Sequence, residues 1–241
     1  MTYDAEGRVA VPARSVRVPV VAAEDLTVTY GRGRRAVTAL ASATFRLETG
    51  DRVALVGPSG SGKSTLVHVI SGLLPASAGR IAWPALSTDR LPAGAAGVVF
   101  QGLSLIPTLD VLENVELPLQ INTTEPPGTV RRRAMTALDE LGLGDLATAL
   151  PNELSGGQAQ RVAVARVLAA RPKLICADEP SGQLDAVNAE VVTDHLLHAA
   201  ATLNAPLIVA THDEAVADRM NTTWSIADGV LSGAGEATCS S

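Results

Sequence analysis

At 241 residues the chain is long enough for one sizeable core, or for a core that carries an inserted subdomain. A formal charge of −6, with no basic run beyond Arg131-Arg132-Arg133, argues against nucleic acid as the main partner. No apolar stretch approaches the roughly 20 residues that cross a bilayer, and two cysteines make no disulfide framework, so a soluble chain in a reducing compartment is expected.

Residues 1–17 read as a loose tail. Arg8, Arg14 and Arg17 precede the apolar Val18-Pro19-Val20-Val21, but Pro19 interrupts that run and Glu24-Asp25 closes it, which argues against a signal peptide. From Val18 to Leu47 the pattern alternates in short pieces around Gly31-Arg32-Gly33, as expected of antiparallel strands. Tyr30 stands just before that turn. Taken alone, a tyrosine there is more often a half-buried sheet residue; the stretch that follows favours stacking on a nucleotide base instead.

That stretch is Gly57-Pro58-Ser59-Gly60-Ser61-Gly62-Lys63-Ser64-Thr65, which fits a phosphate-gripping turn with Gly57, Gly62, Lys63 and Ser64 at the required offsets. Arg52-Val53-Ala54-Leu55-Val56 before it suits a strand buried on both faces, and Leu66, Val67, Val69 and Ile70 after it recur at helical spacing. Glycines let successive N–H groups point inward while the helix aims its partly positive end at the same hollow, so a polyphosphate fits there. Lys63 is placed to neutralise the β- and γ-phosphates, and the Ser64 hydroxyl to take a position on Mg²⁺.

Residues 76–96 give only weak strand signals, around Gly79 to Trp83. Gly97-Val98-Val99-Phe100 is a further apolar run, ending at Gln101, and Leu103, Leu105 and Ile106 follow in a segment without regular pattern. That segment reads either as an apolar contact for a partner or as a hinge packed on its own domain. Val111 to Leu150 is helical, broken by Pro126-Pro127-Gly128, and reads as an insertion between strands. Ser155-Gly156-Gly157-Gln158 opens another helix; Ser155 and Gln158 have the spacing of a capping box, and the paired glycines also suit close approach to a phosphate.

Two more apolar runs follow. Leu174-Ile175-Cys176-Ala177 delivers Asp178-Glu179, and Leu207-Ile208-Val209-Ala210 delivers Thr211-His212-Asp213. In an open parallel sheet ligands bind beyond the carboxyl ends of the strands, so the phosphate turn, Gln101, Asp178-Glu179 and His212 are expected to share one site. Two carboxylates beside a triphosphate require a divalent cation between, which assigns Mg²⁺ to Asp178 with Ser64 and Gln101. Glu179 then faces the attacking water, as general base or as its orienter, and His212 can donate to a γ-phosphate oxygen. The Ser155 helix start lies beyond the insertion from the chain's own turn, so a head-to-tail dimer with two sandwiched nucleotides is the economical arrangement.

With those residues in view, the chain from about Val20 to Ser232 resembles the nucleotide-binding subunits of ATP-binding cassette transporters. The resemblance implies that Gly57 to Thr65 is the Walker A loop, Tyr30 the adenine-stacking aromatic, Gln101 the Q-loop glutamine and Leu154 to Gln158 the signature. It likewise makes Leu174 to Glu179 the Walker B strand with its glutamate, Ser181 to Asp185 the D-loop, and His212 the switch histidine. Ser71 to Pro75, Leu109 to Leu119 and Asp178 to Asp185 look most like the lipoprotein-releasing, macrolide-export and cell-division group. Departures from that group are a short interval from Lys63 to Gln101, Ser181 and Gln183 in place of threonine and asparagine, and Ala159 after the signature.

The implied fold is α/β: a mainly parallel core sheet, an N-terminal antiparallel β subdomain and an inserted α-helical subdomain at about 103–165, within a domain spanning 18–235, with 236–241 as a tail. The implied cofactors are ATP and Mg²⁺. The implied partners are a second copy or a related ATPase subunit and integral membrane subunits, with no covalent anchor and a peripheral place on the inner face of the cell membrane. A regulatory ATPase uncoupled from transport and a small-molecule kinase are the rivals; long coiled-coil heptads, the mark of chromosome-maintenance ATPases, are missing, and a kinase has no use for Leu154 to Gln158.

Overall fold

The computed structural model describes residues 18–102 and 104–234; the tails read at 1–17 and 236–241, with Leu103 and Gly235, lie outside the described residues. In chain order the strands are β1 (Val21–Tyr30), β2 (Val37–Leu47), β3 (Arg52–Val56), β4 (Ala78–Ala82), β5 (Ala96–Val99), β6 (Leu174–Asp178), β7 (Leu207–Ala210), β8 (Thr222–Ala227) and β9 (Val230–Ser232). The helices are α1 (Lys63–Ile70), α2 (Val111–Asn122), α3 (Pro127–Glu140), α4 (Gly156–Ala170), α5 (Ala186–Leu203) and the short α6 (Glu214–Ala217).

One sheet is antiparallel, in the order β2-β1-β4; the other has the order β5-β6-β7-β3-β8-β9, parallel except for β9. The four apolar runs read from the sequence are therefore neighbours in space. Their near-continuous burial is what parallel strands covered on both faces require. β8 and β9 extend this sheet past the strands that the apolar runs revealed, and β5 ends at Val99, leaving Phe100 outside it.

α1 packs between the two sheets. Its Leu66, Val67, Val69 and Ile70 are buried with Leu26, Leu40, Phe45 and Leu47 of the antiparallel sheet and with Leu55, Cys176 and Ile208 of the parallel one. Each such aliphatic side chain contributes roughly 1.5–3 kcal/mol when fully buried. The scarce aromatics pin the seam: the rings of Phe45 and Trp224 lie 5.3 Å apart, and buried Trp83 donates from its indole to the Ile70 carbonyl at 3.3 Å.

A second core joins α2, α3, α4 and α5 to the opposite face of the parallel sheet. α2 begins at a reciprocal capping box: Glu113 N–H donates to Asp110 at 2.7 Å, and Asp110 N–H to the Glu113 carboxylate at 2.9 Å. Within α2, buried Asn114 holds the preceding segment. It accepts from Ile106 N–H at 2.7 Å and donates to the carbonyls of Ile106, Leu109 and Asp110. Leu105 turns into this core, as the hinge reading of the segment expects, while Ile106 stays 38% exposed. No described helix is long and apolar enough to cross a membrane.

Candidate functional site

The turn after β3 is shaped by two backbone approaches that only glycine allows. A Cβ on Gly57 (φ +153°) would stand 2.1 Å from the Ile226 carbonyl oxygen, and one on Gly62 (φ +113°) 2.2 Å from that of Ala39. Pro58, Ser59 and Gly60 form the exposed outer rim of the turn, and Gly62 caps α1. Lys63 is only 6% exposed. Its ammonium donates to the carbonyls of Gly57 at 2.8 Å and Pro58 at 3.1 Å, and stands 3.7 Å from Glu179 Oε1. Carbonyl partners of this kind are replaceable by phosphate oxygens, which bond an ammonium more strongly because they are charged.

β6 ends in buried Asp178, and Ser64 Oγ donates to its Oδ1 at 3.0 Å. His68 Nε2 lies 4.0 Å from Asp178 Oδ2, and its ring rests against Phe100 at a centroid distance of 6.0 Å. Glu179 still hangs its N–H on the Ala210 carbonyl of β7, but its φ of +47° turns the chain sharply out of the sheet. Its Oε2 meets His212 Nδ1 at 2.7 Å. The Gln101 amide reaches the same place, since the Cβ position of Gly182 lies 3.2 Å from Gln101 Nε2 and 3.4 Å from Glu179 Oε2. Strand direction explains the convergence: β5, β6 and β7 run parallel to β3, so all four deliver their carboxyl ends to one edge.

Glu179, Ser181, Gly182, Leu184, Thr211 and His212 line a hollow of about 230 Å³ there. A larger one of about 940 Å³, between the end of α1 and β4, contains no residue of the phosphate turn. Tyr30 is 45% exposed, and its hydroxyl lies 3.3 Å from Thr65 Oγ1, which sets the ring on the rim of the turn with area left open.

The remaining sequence candidates form a separate cluster at the starts of α4 and α5. Ser155 accepts from Gln158 N–H at 3.2 Å and Gln158 accepts from Ser155 N–H at 2.8 Å, so the capping box exists. Asp185 caps α5 by accepting from Asn188 N–H at 2.8 Å and from its side-chain amide; the backbone bond first, then the amide, holds its carboxyl below the usual range. Gly157 lies so close that a Cβ would meet Asn188 Oδ1 at 2.4 Å, and Gly156 faces Leu184. These side-chain bonds all close within the cluster, and Ser155 and Gly156 remain exposed.

The donor set suits Mg²⁺. A hydroxyl and a carboxylate oxygen, both hard oxygen donors, stand 3.0 Å apart beside the turn. Among the described residues no three His, Cys, Asp or Glu side chains converge as a metal cage, so phosphate and water oxygens complete the shell in this reading. Sequence reasoning passed over His68 beside Asp178 and the β8–β9 hairpin beneath the turn. The Asp228-Gly229 pair flanked by alternating residues was the available signal for the hairpin; His68 carried none.

A family model described as ABC transporter matches residues 40–182. The lipoprotein-releasing system ATP-binding protein LolD 2 of Rhodospirillum rubrum is 40% identical over 224 residues, covering 90% of this chain and 97% of its own. LolD of Hydrogenovibrio crunogenus is 36% identical over 218 residues, 87% of this chain and 94% of its own. Among solved structures, the ATP-binding cassette MJ0796, a dimer in a post-hydrolysis state bound to ADP and Pi, superposes with a TM-score of 0.77. It is 34% identical over 88% of this chain and 96% of its own. A nucleotide-free cassette from an ABC transporter superposes with a TM-score of 0.75 at 26% identity, over 88% of this chain and 89% of its own.

Proposed function

This chain belongs to the ABC transporter family of ATP-hydrolysing cassettes, and we propose that it is the motor subunit of a lipoprotein-releasing type of envelope system. The observation that supports this reading most is the meeting of Glu179, Gln101 and His212, beyond the ends of adjacent parallel strands, with Lys63 at the start of α1, where Ser64 bonds Asp178. Lys63 leaves its carbonyl partners for the β- and γ-phosphates, and the N–H groups of Gly57 to Thr65 wrap the same anion. Tyr30 stacks on the base.

Ser64, Asp178 and Gln101 are the residues that hold Mg²⁺, which when bound offsets negative charge on the phosphates. Glu179 orients the attacking water toward the γ-phosphate and accepts its proton. His212, which here bonds Glu179, turns its N–H to a γ-phosphate oxygen as charge builds there. The left-handed backbone at Glu179 serves this geometry, since it lifts the carboxylate out of the sheet and over the turn.

The exposed Ser155-Gly156 helix start is the complementary surface: in a head-to-tail pair it closes, with Gly157 and Gln158 behind it and Asp185 beside it, on the nucleotide held by the other copy. The relatives support a pair, since MJ0796 is dimeric. The cassette spans 18–235. Its helical portion, about 103–165, moves against the parallel core as the pair closes and opens, and the Gln101 to Pro107 segment carries that motion to membrane subunits at the inner face of the membrane. Ile106 is its exposed apolar contact.

Gentle detergent extraction of the tagged chain tests the assignment. A multi-span membrane protein that copurifies and whose complex hydrolyses ATP faster when a lipid-anchored protein is supplied is the expected result. A chain recovered alone, with turnover indifferent to membranes, favours the regulatory rival.

A further inference from the structure

The hairpin of β8 and β9 turns through Asp228 and Gly229, whose φ values of +48° and +78° are those of the two-residue turn that suits strand twist. Gly229 is buried beneath the phosphate turn. Its N–H donates to the Ser61 carbonyl at 3.0 Å, and its own carbonyl accepts from Ala41 N–H of β2 at 2.8 Å. The same hairpin supplies the Ile226 carbonyl against which Gly57 packs, and β2 supplies the Ala39 carbonyl against which Gly62 packs.

Ser61 sits at the middle of the turn and is 6% exposed, yet among the described residues its hydroxyl finds no hydrogen-bond partner. Its position therefore rests on main-chain bonds: one from its N–H to the Pro58 carbonyl inside the turn, and one from Gly229 outside it. β2 in turn pairs with β1, where Val37 stands opposite Tyr30. A single glycine thus ties the phosphate turn to the sheet that carries the base-stacking ring.

We infer that Gly229 is a positioning residue for nucleotide binding, setting the height of Ser61 and hence the aim of the N–H groups at the phosphates. The inference rests on the reading of residues 57–65 as the phosphate turn. A side chain at Gly229 has two penalties: left-handed φ disfavours any Cβ, and that Cβ would press on the Ala39 carbonyl at 3.1 Å. Relief comes by lifting the hairpin from Ser61. Gly233, where β9 ends, gives a matched control, because it has φ +81° and a Cβ there would meet the Thr223 carbonyl at 2.8 Å, away from the turn.

The experiment measures ATP affinity by equilibrium binding, steady-state kinetics and melting for Gly229→Ala, Gly229→Asn, Gly233→Ala and Lys63→Ala. Gly229→Ala should weaken ATP binding about tenfold and raise KM while kcat at saturation stays within about twofold. Gly229→Asn should fall between it and the parent, because asparagine accepts left-handed φ more readily. Gly233→Ala should lower the melting temperature without changing affinity. Parent-like ATP binding by Gly229→Ala, with Lys63→Ala defective, overturns the inference and leaves the phosphate turn standing. Equal affinity losses in Gly229→Ala and Gly233→Ala overturn it by showing general destabilisation. Parent-like binding by Lys63→Ala overturns the phosphate-turn reading itself, and the inference with it.

Discussion

Glu179 presents one carboxylate oxygen to His212 Nδ1 at 2.7 Å and the other to Lys63 Nζ at 3.7 Å, so the ends of β6 and β7 are tied to the start of α1 through a single side chain. The backbone contributes to this, because a left-handed non-glycine residue costs on the order of 1–3 kcal/mol and is retained only where its surroundings enforce it.

Glu179→Gln keeps the shape of that side chain and one acceptor oxygen, and removes its charge and basicity. It should bind ATP within a few-fold of the parent and turn over about 10²–10⁴-fold more slowly, the usual contribution of a general base. Single-turnover kinetics with equilibrium binding checks both halves.

Asn114 is 2% exposed and orders Ile106 to Asp110 through four hydrogen bonds. Asn114→Ala strands the Ile106 N–H and the Leu109 carbonyl, while the Ile106 and Asp110 carbonyls keep main-chain bonds, and should destabilise the fold by about 2–4 kcal/mol, a fall in melting temperature of roughly 5–15 °C. Nucleotide affinity at a temperature where the variant is folded should persist, while stimulation by the proposed membrane partner should drop. Calorimetry and reconstituted turnover read the two effects separately.

How much of this was legible in the sequence follows from which features are local. Val53 to Leu55, Leu174 to Ala177 and Leu207 to Ala210 are buried on both faces, so they appear as unbroken apolar runs and, as parallel strands, place Asp178, Glu179 and His212 at one edge. β8 alternates buried Trp224 and Ile226 with exposed Thr223, Ser225 and Ala227, which dilutes its apolar content and conceals a strand that the Asp228-Gly229 turn announces. β4 is mostly exposed and was faint for the same reason. Contacts distant in sequence, such as Gly229 to Ser61 or His68 to Asp178, have no signature in either segment. The capping-box reading of Ser155 holds, since its hydroxyl caps α4, and the residue stays exposed.

The central claim is that each catalytic hollow is completed by the Ser155 helix start of a second copy. Light scattering of Glu179→Gln with ATP and Mg²⁺ measures it most directly. The account predicts a particle of about twice the 24.8 kDa chain mass, returning to the single-chain mass when Ser155→Arg is added to the same background. A single-chain mass for Glu179→Gln with ATP bound at full occupancy would contradict it.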